Sequence, residues 1–504
     1  MKLYLRSYIT VFVAIVSMVG SSNAQQLVVQ PYLQDASPDE IYVMWETDTA
    51  GSSEVEWGPD TTLANLATGN AQTGFGNSQI HTVQLTGLQA ATRYHYRVKT
   101  NSTTSAIYDF ITPPLASSEA SFNLVAMSDM QRNGNWPNKF SEICHDGVID
   151  HTTDRFTGDL PTDLGFVMIP GDLVDNGFNY GEWANTFFAP SHSLFAHVPV
   201  YPVLGNHEAN TPFFFQYFKL PENGTSGFEE HWWHKDYSNV RIIGLDSNVG
   251  FTIQQQLDWL EALLLATCAD TTIDFVFAQL HHPHLSELWT PGELDYTGDV
   301  IELLEDFTTN CGKPSIHFFG HTHGYSRGHS QDHTHLWVNV ATAGGAREKW
   351  GEWPQEDYDE FTVSQDEWGF VLVEVEAGAD PEFRLTRVTR GDDVNNLDNE
   401  VTDSIVIRKN NQQPQQPTGL FPAENQTVSP DCIMLLGDAF SDPDNDEHGA
   451  SQWQISSSCS DFSSPVFESW RQFQNWYFEV DRQAGDVLTD EEVQIGRASC
   501  RERV

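Results

Sequence analysis

Five short motifs between Asp129 and His323 collect side chains whose chemistry suits cation binding. In order they are Asp129-Met130-Gln131, Gly171-Asp172, Gly205-Asn206-His207-Glu208, His281-His282-Pro283 and Gly320-His321-Thr322-His323. Carboxylate, imidazole and amide oxygen are ligands for Mn, Fe or Zn, and one Asp can bridge two ions with its two oxygens. Histidines two apart on a turn, as at 321 and 323, project in different directions, so each could reach a different ion. Glycines at 171, 205 and 320 are expected to let the backbone turn sharply where a ligand must point inward. Taken singly these motifs are weak, because Gly-Asp recurs by chance and an isolated His is more often structural. Five in this order, each after an apolar run, are hard to assign to coincidental surface turns.

Those apolar runs lie at 122–127, 166–169, 200–204, 273–280 and 315–319, with a sixth at 240–245. Separated by longer segments with helical stretches such as 253–266, they read as buried strands of a layered α/β domain over 120–395. Ligands in such folds gather beyond the carboxyl ends of strands. Residues 25–114 read instead as short strands with alternating polarity, centred on 41–45, 53–57, 81–85 and 94–98, which predicts an antiparallel β-sandwich. Residues 396–417, with the run Asn410-Asn411-Gln412-Gln413-Pro414, read as a polar linker. A β-rich module follows over 418–494 and is expected to be truncated. Residues 495–504, IGRASCRERV, resemble a sequencing-adapter oligonucleotide translated in frame, which adapter sequence in the coding DNA from about codon 495 would establish.

Lys2 and Arg6 precede an apolar run from Tyr8 to Gly20, and Ser22-Asn23-Ala24 supplies small residues. These are the parts of an export signal over 1–24, cleaved after Ala24 to give a secreted or periplasmic protein. The run is shorter than the roughly 20 residues needed to span a bilayer, so no membrane span is expected. With 71 acidic against 25 basic residues, the surface repels nucleic-acid backbones. An acidic protein that handled phosphate esters would have to neutralise them locally, as bound cations do. Cysteines in an exported chain invite disulfides, here Cys268 with Cys311 and Cys432 with Cys459, leaving Cys144 over.

The five motifs together resemble the calcineurin-like metallophosphoesterase superfamily. The N-terminal module, with Leu85-Thr86-Gly87-Leu88 and Thr92-Arg93-Tyr94 similar to a fibronectin type III pattern, and the run from Gly320 to Arg327 are most similar to its purple acid phosphatase branch. The resemblance covers roughly residues 25–395 and implies a four-layer α/β/β/α fold, two facing sheets flanked by helices. It implies two divalent or mixed-valence ions of Fe, Mn or Zn. Asp129, Gln131, Asp172 and His323 would hold the first, and Asp172, Asn206, His281 and His321 the second. His two before Pro in the family pattern selects His281 over His282. His207 matches the histidine that contacts substrate and protonates the leaving group. Two departures stand out: Asp175 replaces the branch's colour-giving tyrosine, and Gln131 stands where the branch has Gly and other members often have His. No tyrosinate chromophore is therefore expected, and the first ion is expected to bind less tightly.

The resemblance implies hydrolysis of small phosphate monoesters, with water activated between two cations and His207 as the acid. A phosphodiesterase with the same centre, or an extracellular binding protein with a relic metal domain, are the alternatives; Gln131 favours the relic and the retained ligands oppose it. Asn206, His207, His282 and Tyr325 are expected to touch substrate. Tyr325 and Arg327 read equally well as turn-stabilising residues. Glu287 reads as loop surface, Asp246 as a ligand of backbone amides, and His317 as a hydrogen-bonded core histidine. Ser441 to Asp446 resembles an acidic calcium loop without the glycine or distal Glu of an EF-hand, so a structural calcium in the last module stays open beside a solvated turn. Sequons at Asn101, Asn223 and Asn425 matter only where the host glycosylates.

Overall fold

The computed structural model describes residues 25–331, 335–429, 433–446, 448–458, 460–472 and 492–495. The expected export segment, the Cys432–Cys459 pairing and the adapter-like tail beyond 495 lie outside the described residues.

The N-terminal module is built as its alternating sequence predicts. One sheet is ordered Leu27–Gln34, Glu40–Thr47, Gln79–Thr86, Asn70–Thr73; the facing one contains Asn65–Thr68, Glu54–Gly58, Arg93–Thr100, Thr103–Thr104 and Tyr108–Ile111. Leu33, Val43, Trp45, Val83 and Leu85 fill the space between them together with Tyr96 and Phe110. Side chains alternate across a strand, so Val29, Tyr32, Met44 and Ile80 point the other way and join the core of the next domain. The sandwich is thus buried on both faces of one sheet. Polar contacts secure the join: the Tyr32 hydroxyl donates to the Tyr217 carbonyl (2.6 Å), and those of Tyr180 and Tyr217 donate to the Glu46 carboxylate (2.8 Å each).

The central domain holds a six-stranded sheet ordered Val200–Pro202, Phe166–Ile169, Phe122–Ala126, Trp368–Glu376, Glu382–Gly391, Glu400–Arg408, in which the first three run parallel. A seven-stranded sheet is ordered Trp233–Tyr237, Val240–Gly244, Phe275–Gln279, Ser315–Phe319, Leu336–Val340, Tyr325–His329, Phe361–Gln365, with a parallel centre from Val240–Gly244 to Leu336–Val340. Phe275, Phe277, Ile316 and Phe318 face the six-stranded sheet, while Val276 and Ala278 face the helices Gln254–Ala269 and Asp295–Cys311 through Leu260, Leu264, Val300 and Leu304. Strands covered on both faces are apolar without alternation, which is why these runs stood out in the sequence. On the far side, the helical segments 139–155 and 180–195 cover the six-stranded sheet through Phe140, Ile143, Val148 and Phe187. The result is the expected four-layer order of helices, sheet, sheet, helices.

Cys268 and Cys311, at the ends of the two helices on the seven-stranded sheet, are disulfide-bonded across a Cα–Cα distance of 5.4 Å. Cys144 is free and buried. The linker reading of 396–417 needs correction: Glu400–Arg408 pairs antiparallel with Glu382–Gly391 as the edge strand of the six-stranded sheet. Its single apolar stripe, Ile405 and Ile407, packs on the core, too short a signal to separate from its polar surroundings. Beyond it, Gly419–Phe421, Ile433–Gly437, Ala450–Ile455 and Phe467–Gln472 form strands of the β-rich last module. The calcium-like acidic run there has its carboxylates engaged otherwise. Asp442 accepts the amides of Asp444 and Asp446, Asp444 accepts from Gln412, and Asp446 pairs with Arg408. These contacts close the run as a partly exposed turn. Among the described residues no helix is long and apolar enough to cross a membrane.

Candidate metal centre

Each motif follows the carboxyl end of a parallel strand, and the two sheets face so that these ends converge. The outcome is two groups of donors. The ligand atoms of Asp129, Asp172 and His323 lie within 4.8 Å of one another, and so do those of His281, His282 and His321. Asp129 and Asp172 are buried, at 0% and 1% exposure. Two carboxylates inside a chain of net charge −46 are tolerable only beside compensating positive charge.

The backbone bends hardest at the ligands themselves. Asp129, Asp172 and His321 all have left-handed φ (58°, 54° and 69°), a conformation costing about 1–2 kcal/mol at a residue with a Cβ. Of the three glycines expected to supply that freedom, only Gly171 has positive φ, 92°. Gly205 and Gly320 instead supply space: a Cβ would fall 2.1 Å from Asp172 Oδ1 at the first and 2.3 Å from Asp129 Oδ2 at the second. Strain of this kind persists where surrounding contacts over-determine it. Here the buried Glu208 carboxylate accepts the amides of Asp172, Leu173 and Gly205 (2.8–2.9 Å) and of Val174 (3.3 Å). Burial, then the Asp172 charge, pushes Glu208 up to about 7.

Three imidazoles are aimed by carbonyls. His281 Nδ1 donates to Pro170 O (2.9 Å), His207 Nδ1 to Asp175 O (2.6 Å) and His323 Nδ1 to Ala346 O. Holding Nδ1–H in this way turns Nε2 toward the centre, the pattern by which proteins orient metal-binding histidines. His281 Nε2 lies 3.2 Å from Asp172 Oδ2 and 2.9 Å from Asn206 Oδ1; His323 Nε2 lies 3.1 Å from Asp129 Oδ1. His207 Nε2 stands 3.8 Å from Asp172 Oδ2 on the open side, its side chain 34% exposed.

Charge follows from these neighbours. Burial opposes protonation of His281 and His323, yet the Asp172 carboxylate raises the first to about 9 and Asp129 raises the second to about 10. Burial would likewise raise Asp129, but the hydrogen bond and charge of His323 hold it well below the usual carboxylate range. His282 and His321 go the other way, to about 3 and about 2, through burial and the neighbouring His281 charge. His281 Nε2, the Asp172 carboxylate and the Asn206 amide oxygen thus converge on one point. These are three of the four groups expected to hold the second ion. Gln131 gives the matching observation for the first: its Nε2 donates to Asp172 Oδ2 (2.7 Å), while its buried Oε1 has no hydrogen-bond partner. An amide oxygen left over beside two carboxylates suits a cation ligand. The residues present fit divalent cations, with carboxylate, imidazole and amide oxygen donors gathered in two adjoining groups.

Several sequence expectations change. Tyr325 is fully buried and its hydroxyl donates to Asp403 on the edge strand (2.6 Å), a carboxylate also paired with Arg327. Tyr325 is therefore a structural residue with no face toward substrate. Glu287 is buried rather than on the loop surface and accepts the Tyr358 amide (3.1 Å). The Asp175 side chain is exposed; only its carbonyl serves the site. Asp246 accepts the Asn248 amide (2.9 Å), and His317 is a core histidine bonded through Nδ1 to His335 (2.9 Å). His282 lies at the centre, its ring 4.4 Å from that of His321 and its Nδ1 2.9 Å from Ser247 Oγ. Sequence reasoning missed the supports: Glu208, Asn339, whose amide holds the Thr322 carbonyl and hydroxyl (2.7 and 2.9 Å), and Glu348, which accepts the His323 amide. Glu208 alone could have been found, as part of the third motif.

Residues 28–112 match the family model of the purple acid phosphatase N-terminal domain, and residues 122–325 that of calcineurin-like phosphoesterases. The chain thus carries a calcineurin-like phosphoesterase domain behind a purple acid phosphatase N-terminal domain. Among solved structures it is similar to purple acid phosphatase PPD1 from yellow lupin seeds (Lupinus luteus), at TM-score 0.58 and 20% identity over 75% of this chain and 74% of that one. It is also similar to PhoD, at TM-score 0.54 and 10% identity over 76% and 90%. Two uncharacterized Mycobacterium tuberculosis proteins, from strains CDC 1551 / Oshkosh and H37Rv, are 23% identical over 58% of this chain. The match spans 60% of their length.

Proposed function

We propose that this chain is an exported, two-metal phosphatase that hydrolyses phosphate monoesters, with His207 as the acid. The observation that carries the reading is the pair of adjoining donor groups, linked where His281 Nε2 lies 3.2 Å from Asp172 Oδ2, with His207 Nε2 beside them on the open side. Two cations held there would supply an activated water and a positive clamp on phosphate oxygens. Asp129, Asp172, Gln131 and Asn206 would provide oxygen ligands, and His281, His321 and His323 the imidazoles. His207 keeps Nδ1–H on the Asp175 carbonyl and turns Nε2 to the open side; in its doubly protonated form it passes the Nε2 proton to the departing oxygen and is left as the neutral Nδ1–H ring. His282 stands close enough to contact a phosphate oxygen. The Cys268–Cys311 bridge supports an oxidising compartment, in line with export.

The test is metal content together with turnover of matched aryl monoester, aryl diester and alkyl monoester, on the parent and on His207→Ala. The parent should hold two ions and prefer monoesters. A proton donor contributes about 10²–10⁴-fold, and the mutant should lose most on the alkyl ester, whose leaving oxygen needs the proton. Preference for the diester would make the enzyme a phosphodiesterase; bound metal without turnover of any ester would overturn the hydrolase reading.

A further inference from the structure

Beside the centre stands an aromatic wall that no metal ligand requires. Trp289 is partly buried, its ring centroid 5.2 Å from that of His321 and inclined 45° to it. Trp353 follows outward, 6.1 Å from Trp289 and 46% exposed. Trp289 is held in place: its amide donates to Ser286 Oγ (3.3 Å), its carbonyl accepts from Gly292 (3.0 Å), and Gly292 backs its ring. A Cβ at Gly292 would meet that ring at 2.7 Å and Thr322, between the two histidines of the last motif, at 2.8 Å. The outer segment is tied to the inner one where the Thr290 amide donates to the Pro354 carbonyl (3.1 Å) and the Tyr358 hydroxyl to Glu293 (2.8 Å). The two rings therefore lead from an imidazole of the centre out to solvent.

We infer that Trp289 and Trp353 select phosphate esters whose leaving group carries a planar aromatic ring, a phenol or a nucleoside. The inference rests on the phosphoesterase reading and names its substrate class. With phosphate at the centre, the organic part of an ester must leave along one of its walls, and this wall offers ring faces. Base–aromatic stacking tolerates any planar ring because each has a π-face, and Trp offers a large, rigid aromatic surface for it. A small aliphatic alcohol would leave these faces wet and gain little from them.

The experiment uses the full metal-loaded chain with phenyl phosphate, adenosine monophosphate and glycerol phosphate. For Trp353→Ala, and for Trp289→Leu with metal content checked, the ratio of kcat/KM on each aromatic ester to that on glycerol phosphate should fall about tenfold, a typical stacking loss. Trp353→Phe should restore most of it. A fall for phenyl phosphate alone assigns the wall to phenols, and one for the nucleotide alone to nucleosides. An unchanged ratio for both overturns the inference. Competition by phenylphosphonate against methylphosphonate, measured as binding, separates the two readings. If the parent hydrolyses no ester, the phosphoesterase reading fails, and phosphonate selectivity that survives in Trp353→Ala then overturns the wall as well.

Discussion

His81 in the sandwich and His281 at the centre are both fully buried, and their environments drive them in opposite directions. His81 lies stacked on Trp45 (4.8 Å, 7°) between the hydroxyls of Thr47 and Ser53 at 2.8 Å each, and burial alone lowers it to about 4. His281 has Asp172 at 3.2 Å and rises to about 9. Hydroxyls satisfy a neutral ring, whereas a carboxylate invites a proton or a cation. A buried histidine therefore becomes a ligand candidate through the charge beside it, and its depth in the fold says nothing on that point.

Removing the charge should break the contrast most completely. Asp172→Asn takes away both the bridge and the partner of His281, and turnover should fall about a thousandfold, several kcal/mol of charge stabilisation. Metal analysis should show ions lost while the sandwich keeps its folded circular-dichroism signature. Next in size is the acid response of His81. Its folded value lies below the unfolded one near 6.5, so the unfolded chain takes a proton that the folded chain refuses. Stability should then fall from about pH 6.5 down to about 4, by about 3 kcal/mol in all. Denaturant midpoints across that window should show the loss, and His81→Gln should flatten it.

Smaller effects test the supports. Glu208→Gln leaves the ligands in place but puts an amide against backbone N–H donors, and metal affinity should drop about 10–100-fold; isothermal titration measures it. Last comes proton release. His281 and His323 carry protons in the ion-free chain below about 9 and 10, and a cation needs them neutral. Affinity should therefore climb with pH up to that range, by about tenfold per unit for each imidazole displaced. Affinity flat between pH 6 and 8 would mean that cations do not replace these protons.

Much of this arrangement could be read along the chain. The six apolar runs became strands because residues covered on both faces need no alternation, and the motifs after them fell at the strand ends that converge. The sandwich showed through its period of two, and the Cys268–Cys311 pair through its place within one domain. The edge strand Glu400–Arg408 did not show, since an edge exposed on one side carries only a thin apolar stripe. Tyr325 and Glu287 misled for a related reason: a polar side chain near a motif looks the same whether it faces the site or the core.

By itself the sequence determined which donors exist and the order in which strands deliver them, because apolar periodicity and turn chemistry are local. Tertiary structure decided the rest. It put left-handed φ on Asp129, Asp172 and His321, paired Glu208 with four amides, aimed three imidazoles with carbonyls from distant loops, and set Trp289 and Trp353 beside His321. Each of these joins residues far apart in sequence or depends on a burial that only packing creates. Charge state and ligand geometry follow from those neighbours, and no window along the chain contains them.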